Sequence, residues 1–194
     1  MIVLPIKLEH INKNFGDKIV LKDFSAEFKD DCITCLMGPS GVGKTTVLNI
    51  IMGLIKPDSG NVSGINNRKL SVVFQEDRLL NWLSAIDNVA LVSNETVTKE
   101  KIITLLNELG LKDSSYDSVS KLSGGMKRRV AIARALINNA EILILDEPFK
   151  GLDEDTKENV MSIIKKYSKS KCVILVTHDI SEAKFLEADI IELD

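Results

Sequence analysis

Gly38-Pro39-Ser40-Gly41-Val42-Gly43-Lys44-Thr45 is the stretch that decides the fold of this chain. It matches the pattern G-x-x-x-x-G-K-T in full, and it lies between an apolar run, Cys32–Met37, and a helix-forming segment, Lys44–Met52. A strand before this motif and a helix after it are the context that a phosphate-binding loop requires. Glycines let backbone amides turn towards phosphate oxygens, and the N-terminus of the helix faces the same negative charge. The sequence therefore predicts an α/β fold with a phosphate site at its first helix.

Side chains at the end of the loop carry more specific predictions. The Lys44 ammonium group supplies positive charge for the β- and γ-phosphates of a nucleotide, and the Thr45 hydroxyl is placed to coordinate Mg²⁺. We expect the nucleotide phosphates to contact the whole loop and the residue after it, namely Gly38, Pro39, Ser40, Gly41, Val42, Gly43, Lys44, Thr45 and Thr46.

Paired carboxylates follow an apolar run further along the chain. Ile142–Leu145 reads as a strand buried on both faces, and Asp146 and Glu147 come directly after it. Open α/β sheets bind ligands at this end of their strands, so Asp146 is a candidate Mg²⁺ ligand that acts through water. Glu147 points in another direction and is the candidate general base for an attacking water. A structural salt bridge is the alternative role for each acid.

Two more polar residues follow predicted strands. Gln75 comes after Ser71–Phe74, and its amide is placed to contact both Mg²⁺ and the attacking water. His178 comes after Cys172–Thr177 and is placed to contact the γ-phosphate. Neither residue alone would indicate a site. Their positions relative to the phosphate loop and the paired carboxylates are what make both of them candidates.

A second glycine-rich helix start, Leu122-Ser123-Gly124-Gly125-Met126, lies far from the first in the chain. Such a start predicts a second phosphate contact, because helix N-termini favour anions. One chain cannot easily use both glycine-rich segments on one nucleotide. The layout therefore indicates an assembly of two such chains.

Composition limits the other classes of function. The chain has 194 residues and a net charge of −3, so it lacks the basic footprint typical of nucleic-acid binding. No apolar stretch reaches the roughly 18 residues that a membrane span needs, and the N-terminus does not resemble a secretion signal. Cys32 and Cys35 have redox or metal spacing, but on a strand they point to opposite faces, which favours plain thiols. We therefore expect a cytosolic protein that associates with membranes only through partners.

Taken together, these motifs closely resemble the nucleotide-binding subunit of ATP-binding cassette (ABC) transporters, and the resemblance spans nearly the whole chain. It implies a P-loop NTPase core with a mostly parallel sheet, an N-terminal antiparallel β subdomain and a small helical subdomain. In a single domain of residues 1–194, the core with the β subdomain would comprise residues 1–79 and 138–194. The helical subdomain that carries the second glycine-rich motif would comprise residues 80–137.

The resemblance also assigns roles to individual residues. Gly38–Thr45 resembles the Walker A motif, Gln75 the Q-loop residue, and Leu122–Met126 the signature motif. Asp146 and Glu147 resemble the end of Walker B, and His178 the switch histidine. Gly151-Leu152-Asp153 resembles the D-loop, and Phe15 is placed like the aromatic residue that stacks on adenine, with a core phenylalanine as the alternative.

In this family two cassettes pack head to tail, as a homodimer or a pair of related ATPase subunits. The resemblance implies that Ser123, Gly124 and Gly125 would contact the γ-phosphate of ATP held by the other subunit. Hydrolysis at Glu147 would then be coupled to transmembrane permease subunits and, indirectly, to a solute-binding protein. The expected location is the cytoplasm, peripheral on the inner face of the membrane.

A finer similarity links the segment Val73–Leu83 and the methionine of the signature motif to importers of nitrate, sulfonate and taurine. Trp82 in this segment would either contact a membrane subunit or be buried in the helical subdomain.

Two departures from the family pattern stand out. Lys150 occupies a position where many members carry a small residue, and Lys127-Arg128-Arg129 is unusually basic.

Several other classes fit the sequence less well. DNA-repair cassettes carry a long coiled coil, but only 47 residues lie between Gln75 and Ser123 here. Regulatory cassettes usually have two copies per chain, and a phosphoryl-transfer kinase has no use for Leu122–Met126. A module that binds ATP without cleaving it has no use for Glu147. A soluble, non-transport ABC ATPase with a regulatory or structural role remains the alternative to a transporter subunit.

Overall fold

The computed structural model describes residues 5–194; loose alternation of apolar residues predicts a strand over Ile2–Leu8, and its first part lies outside the described residues. The chain forms two compact units. The first contains the described residues up to Leu70, Glu141–Asp146 and Ser168–Asp194, and the second contains Ser71–Ala140 and Glu147–Tyr167. The predicted division into residues 1–79 with 138–194 and residues 80–137 stays a prediction.

Strands predominate in the first part of the described chain, helices follow after Val73, and strands and helices alternate from Ile142 onward. The strands are β1 Ile6–Phe15, β2 Lys18–Phe28, β3 Cys32–Met37, β4 Ser59–Ser63, β5 Leu70–Val73, β6 Ile142–Asp146, β7 Cys172–Val176 and β8 Asp189–Glu192. The helices are α1 Lys44–Ile51, α2 Ala85–Ala90, α3 Lys99–Glu108, α4 Gly124–Leu136, α5 Glu154–Tyr167 and α6 Ile180–Phe185. Two short turns of 3-10 helix, Lys112–Ser114 and Val119–Lys121, precede α4.

An antiparallel sheet is formed by the N-terminal strands of the first unit, in the order β2-β1-β4. The turn between β1 and β2 contains Gly16 with a positive φ, as the turn chemistry of Asn14–Asp17 predicts. β4 was not predicted from the sequence. It is a short, polar and largely exposed edge strand, so hydrophobic alternation gives no signal for it.

A second, five-stranded sheet has the order β5-β6-β7-β3-β8. Within the first unit, β6 and β7, β7 and β3, and β3 and β8 all pair in parallel. Every residue of β6 and β7 is buried, which confirms the interpretation of these apolar runs as strands covered on both faces. The predicted α/β fold with a mostly parallel sheet and an antiparallel β subdomain is confirmed. β8, an exposed edge strand, was not predicted.

The cysteines lie in and beside this sheet as unbridged thiols. Cys35 on β3 and Cys172 on β7 are buried, whereas Cys32 is half-buried. Burial raises the pKa of the Cys35 thiol to about 11 and that of Cys172 to about 12. Such thiols remain protonated near neutral pH.

The second unit contains four helices, and side chains fix where they begin. The Ser84, Thr98 and Ser123 hydroxyls accept hydrogen bonds from backbone amides in the first turns of α2, α3 and α4. The Asp153 carboxylate accepts one from the Thr156 amide, as expected of an aspartate that caps the start of α5. Capped starts matter here because α4 and α5 each begin next to residues with predicted functions.

Asn88 on α2 holds the segment before that helix. It is only 1% exposed, donates to the Leu80 and Ser84 carbonyls at 3.0 Å each, and accepts from the Leu80 amide at 2.9 Å. The intervening Trp82 is 75% exposed, so its burial in the helical part of the chain is excluded. No helix within residues 5–194 is long and apolar enough to cross a membrane.

Candidate active site

The phosphate loop joins β3 to α1 in the first unit, and two of its glycines are required by the space around them. Gly38 has φ of +143°, and a Cβ there would lie 2.3 Å from the Leu193 carbonyl oxygen. Gly43 has φ of +120°, and a Cβ would lie 3.0 Å from the Leu21 side chain. Because larger residues would clash or be strained at both positions, the backbone path of the loop depends on these glycines.

The Lys44 side chain turns back onto this loop. Its ammonium group donates to the Gly38 carbonyl at 2.7 Å and to the Pro39 carbonyl at 2.8 Å. The cation is therefore held against the loop that precedes it. Thr45 is exposed and Thr46 is half-buried, and both lie in the first turn of α1.

The register of the parallel strands places three predicted site segments at one edge of the sheet. Asp146 pairs with Val176 across β6 and β7, and Val176 pairs with Leu36 on β3. The phosphate loop begins two residues after Leu36, and His178 lies two residues after Val176. Asp146 is 7% exposed at the end of its strand. The carboxyl-terminal edge of an open α/β sheet is where such folds bind ligands.

Hydrogen bonds around Thr177 fix the turn that contains His178. The Thr177 hydroxyl donates to the Glu182 carboxylate at 2.5 Å and accepts from the Asp179 amide at 3.1 Å. Thr177 is buried and His178 is exposed, so the turn presents the imidazole at the surface of the first unit.

Phe15, the predicted adenine-stacking residue, ends β1 in the first unit. Its ring is 49% exposed, and the Lys13 ammonium nitrogen lies 5.5 Å from the ring centroid. This exposure excludes the alternative of a core phenylalanine. A flat aromatic face is thus available at the end of the antiparallel sheet.

In the second unit, Gln75 and Glu147 lie in contact. The Gln75 amide nitrogen is 3.5 Å from the Glu147 Oε2 atom, and the Lys150 ammonium nitrogen is 3.2 Å from the same oxygen. The salt bridge that was the alternative role for Glu147 is thus present, alongside the contact with Gln75. Both contacts converge on one carboxylate oxygen.

The backbone at Glu147 is unusual. Its φ of +47° lies in the left-handed region, which costs a residue with a side chain about 1 to 2 kcal/mol. The Glu147 carbonyl accepts from the Lys150 amide at 3.3 Å, which closes a turn over Glu147–Lys150. We call this segment the Glu147 turn. Strain of this kind persists only where surrounding contacts hold it, and it is frequent at functional sites.

Arg128 supplies contacts of that kind, although no sequence motif assigns it a role. Its guanidinium Nη2 donates to the Glu147 carbonyl at 2.6 Å, and its Nε donates to the Pro148 carbonyl at 3.1 Å. One signal pointed to it: Arg128, Ile132 and Ala135 share a buried stripe of α4 at helical spacing. A charged residue within an apolar stripe indicates a buried polar network.

The signature segment begins α4. Ser123 and Gly124 are exposed, and the Ser123 hydroxyl accepts from the Met126 amide at 3.2 Å. A Cβ at Gly125 would lie 3.4 Å from the Gly151 carbonyl oxygen, whereas one at Gly124 would meet open space. The start of α4 therefore packs beside the segment between the Glu147 turn and α5, with its first residues open to solvent.

The predicted residues thus fall into two groups, one in each unit. The first unit brings Gly38–Thr46, Asp146 and His178 to one sheet edge, with Phe15 exposed at the end of β1. The second unit brings Gln75 and Glu147 into contact and places Ser123–Gly125 at an exposed helix start. No cluster of three or more histidine, cysteine or acidic residues suited to a metal occurs within the described part of the chain.

Comparison with known proteins identifies the family. The family model described as "ABC transporter" matches residues 21–150. An aliphatic sulfonates import ATP-binding protein (SsuB 1) from Agrobacterium fabrum is 37% identical, over 98% of this chain and 71% of its own length. A taurine import ATP-binding protein (TauB) from Escherichia coli is 34% identical, over 97% of this chain and 79% of its own length.

Solved structures agree with these matches. A dimeric structure of a bacterial ABC transporter cassette superposes with a TM-score of 0.85 at 34% identity, covering 97% of this chain and 94% of that one. A dimeric post-hydrolysis state of that cassette, bound to ADP and phosphate, superposes with a TM-score of 0.84 at 33% identity and the same coverage. The chain therefore belongs to the ABC transporter family and is one of its ATP-hydrolysing cassettes.

Proposed function

We propose that this cassette powers the import of a small solute, such as a sulfonate or a related anion. Both curated relatives carry the names of import ATP-binding proteins, one for aliphatic sulfonates and one for taurine. Their identity of 34–37% over nearly the whole chain supports the transport role over a soluble regulatory cassette.

ATP binding is assigned to the first unit. Backbone amides of Gly38–Thr46 would bind the phosphates, Lys44 would neutralise their charge, and Phe15 would stack on the adenine ring. The exposure of Phe15 and the contacts that hold Lys44 against its own loop support these assignments.

The residues present fit a bound Mg²⁺ ion. Thr45 and Asp146 both offer oxygen ligands, which are the kind that Mg²⁺ prefers. Gln75 is proposed as a further oxygen ligand. The ion would neutralise charge on the phosphates when bound.

Hydrolysis is assigned to the second unit, with Glu147 as the general base that takes a proton from the attacking water. The contact between the Gln75 amide and the Glu147 carboxylate is the observation that carries this proposal, because it places a water-orienting group beside the base. His178 would contact the γ-phosphate from its exposed turn.

Two cassettes are proposed to share each ATP. Solved relatives are dimeric, and Ser123 and Gly124 are exposed at the N-terminus of α4, which suits a phosphate held by a partner. Further proposed partners are transmembrane permease subunits, to which the exposed Trp82 would bind, and indirectly a solute-binding protein. In this arrangement the chain lies in the cytoplasm, on the inner face of the membrane, and does not bind nucleic acid.

Replacing Glu147 with glutamine tests the proposal. Because a general base contributes about 10²- to 10⁴-fold, the Glu147→Gln variant should bind ATP normally while phosphate release falls by that factor. ATP binding is measured by calorimetry and turnover by phosphate release. Glu154→Gln, which changes an exposed acid at the start of α5, is the matched control. Turnover like that of the wild type in Glu147→Gln would remove Glu147 as the base.

The same variant tests the shared site. With hydrolysis stalled, saturating Mg-ATP should convert Glu147→Gln to a dimer in light scattering, and Ser123→Arg should prevent this because a long cation would occupy the open helix start. A Glu147→Gln protein that stays monomeric would contradict the shared site.

A further inference from the structure

Arg128 is a buried cation in the second unit, and no role in the proposed mechanism accounts for its burial. The residue is only 3% exposed, although it lies on α4 just five residues after Ser123. Charged side chains are buried at this level only when hydrogen bonds replace water. The identity of those partners indicates what Arg128 does.

One edge of the guanidinium group binds the Glu147 turn. Nη2 donates to the Glu147 carbonyl at 2.6 Å and Nε donates to the Pro148 carbonyl at 3.1 Å. These bonds hold the carbonyl groups of the residue proposed as general base, whose φ is left-handed, and of the residue that follows it.

Another nitrogen of the same group binds the segment around Gln75. Nη1 donates to the Phe74 carbonyl at 2.6 Å and to the Gln75 carbonyl at 3.3 Å. It also forms an ion pair with the Asp77 carboxylate at 3.0 Å. A single planar group thus contacts the backbone of both Gln75 and Glu147.

Guanidinium geometry makes this arrangement a rigid one. Its five N–H donors lie in one plane at fixed angles, so binding two segments fixes their separation and orientation. Lysine carries one compact charge on a flexible stem and cannot hold both segments in the same way. The 3.5 Å contact between the Gln75 and Glu147 side chains depends on that backbone geometry.

We propose that Arg128 is a positioning residue: by fixing the two backbone segments, it holds the Gln75 amide and the Glu147 carboxylate at the separation and orientation that hydrolysis requires. This inference rests on the proposed roles of Glu147 and Gln75. Since Arg128 belongs to the helix that begins with Ser123–Gly125, it also ties the base to the position of the signature helix.

Arg134 provides a matched control on the same helix. It donates to the Asp77 carbonyl at 2.8 Å and the Arg78 carbonyl at 2.7 Å, so it binds the same loop as Arg128. Among the described residues, no hydrogen bond joins Arg134 to the Glu147 turn. Comparing lysine substitutions at the two positions therefore separates loop anchoring from positioning of the base.

The test compares ATP hydrolysis by Arg128→Lys and Arg134→Lys. Small misplacements of reacting groups can cost about 10²-fold, so Arg128→Lys should lower kcat about 10- to 100-fold with KM for ATP changed less than about 3-fold. Arg134→Lys should lower kcat less than about 3-fold. Equal losses in the two variants, or a loss of ATP affinity alone, would overturn the proposal.

A double-variant comparison provides a readout that a purely structural role would not change. If Arg128 acts through Gln75 and Glu147, Arg128→Lys should cost kcat much less in a Gln75→Ala background than in the wild type. Additive losses would contradict the inference.

Two further variants keep the test decisive. Should Arg128→Lys fail to fold, Asp77→Ala removes the ion pair at a partly exposed carboxylate, and it should lower kcat about 2- to 5-fold with KM unchanged. An unaltered kcat would then overturn the proposal.

Measuring Glu147→Gln in parallel separates the proposed role of Glu147 from that of Arg128. Normal turnover in Glu147→Gln would exclude Glu147 as the base. A stalled Glu147→Gln together with a fully active Arg128→Lys would exclude only the role of Arg128.

Discussion

The phosphate loop and the Glu147 turn are both backbone segments with positive φ angles, but they are held in different ways. In the loop, Lys44 bonds to carbonyls only five and six residues earlier, and glycines provide the unusual angles. In the turn, a glutamate adopts the unusual angle, and it is held by Arg128 and contacted by Gln75, 19 and 72 residues earlier.

The two segments therefore show two ways of holding an unusual backbone angle: by residues close in sequence, and by side chains from distant parts of the chain. The phosphate loop owes its shape to residue types that allow it, so substitutions there act through backbone sterics and local charge. The Glu147 turn is held by Arg128, a buried side chain from a distant part of the chain, so it responds to changes made elsewhere in the second unit. Four predictions use this contrast, beginning with the largest expected effect.

Removing the lysine of the loop should have the largest effect. We expect Lys44→Ala to lower kcat/KM for ATP at least about 100-fold, because a charge that contacts phosphates is lost from a fixed position. Phosphate release and binding of a fluorescent ATP analogue provide the measurement, with Lys56→Ala, an exposed lysine of the first unit, as control. Affinity and turnover like those of the wild type would show that the loop does not depend on this local cation.

Adding a methyl group at Gly38 should destabilise the first unit. The new Cβ would lie 2.3 Å from the Leu193 carbonyl oxygen and φ is +143°, so the free energy of unfolding should fall by about 2 kcal/mol. Gly53→Ala is the control, because φ there is +70° but the Cβ would meet open space. Urea unfolding curves give both values, and equal losses would show that contact with Leu193 is unimportant.

Removing Lys150 should have a smaller effect on the Glu147 turn. Its ammonium group contacts the same Glu147 Oε2 atom as the Gln75 amide and so occupies part of the proposed base, and its side chain is 61% exposed. Exposed ion pairs are worth about 0.2 to 1 kcal/mol, so Lys150→Ala should raise kcat by up to about 5-fold. The difference should shrink at 1 M salt, where the pair is screened.

Lys157→Ala serves as the control for Lys150→Ala, because Lys157 forms an ion pair of the same spacing with Glu154 in α5. It should leave kcat unaltered at either salt concentration. A fall in kcat for Lys150→Ala would instead mean that the lysine helps to hold the base.

The smallest effect concerns the cap of α5, just after the Glu147 turn. The hydrogen bond from the Thr156 amide lowers the pKa of Asp153 below its ordinary value of 3.8. The stability that this carboxylate contributes is therefore present above about pH 4 and is lost as pH falls through its folded-state pKa. Asp153→Asn keeps a good cap without a titrating group, so its unfolding midpoint should fall less than that of the wild type between pH 5 and pH 2.

Asp155→Asn is the control for that comparison, since Asp155 lies in the first turn of the same helix. Thermal unfolding followed by circular dichroism at each pH gives the midpoints. An identical acid-induced fall in wild type and Asp153→Asn would show that the cap does not contribute to the pH dependence.

Several features of the fold were predictable because their causes are local. The buried strands β6 and β7 are apolar throughout, and β3 ends where the glycine pattern starts. The edge strands β4 and β8 escaped prediction because they are exposed, so their sequences need no hydrophobic alternation.

The candidate site divides in the same way. Motif spacing predicts Gly38–Thr46, Asp146 and His178 because each directly follows a recognisable strand. Gln75 and Glu147 were predicted one by one, but their contact was not derivable from spacing, since 72 residues separate them. Arg128 was noted only as part of a basic stretch, although its helical spacing with the buried Ile132 and Ala135 indicates a buried position.

The sequence by itself determined the α/β fold, the phosphate loop and the family, because these follow from periodicity, glycine conformations and a chain-local motif order. Only the tertiary structure decided that the Glu147 carboxylate is shared by Gln75 and Lys150. It also decided that a buried arginine, Arg128, joins the backbones of Gln75 and Glu147. The physical reason is that a buried charge must find its hydrogen-bond partners in space, and those partners come from chain segments whose meeting no local pattern specifies.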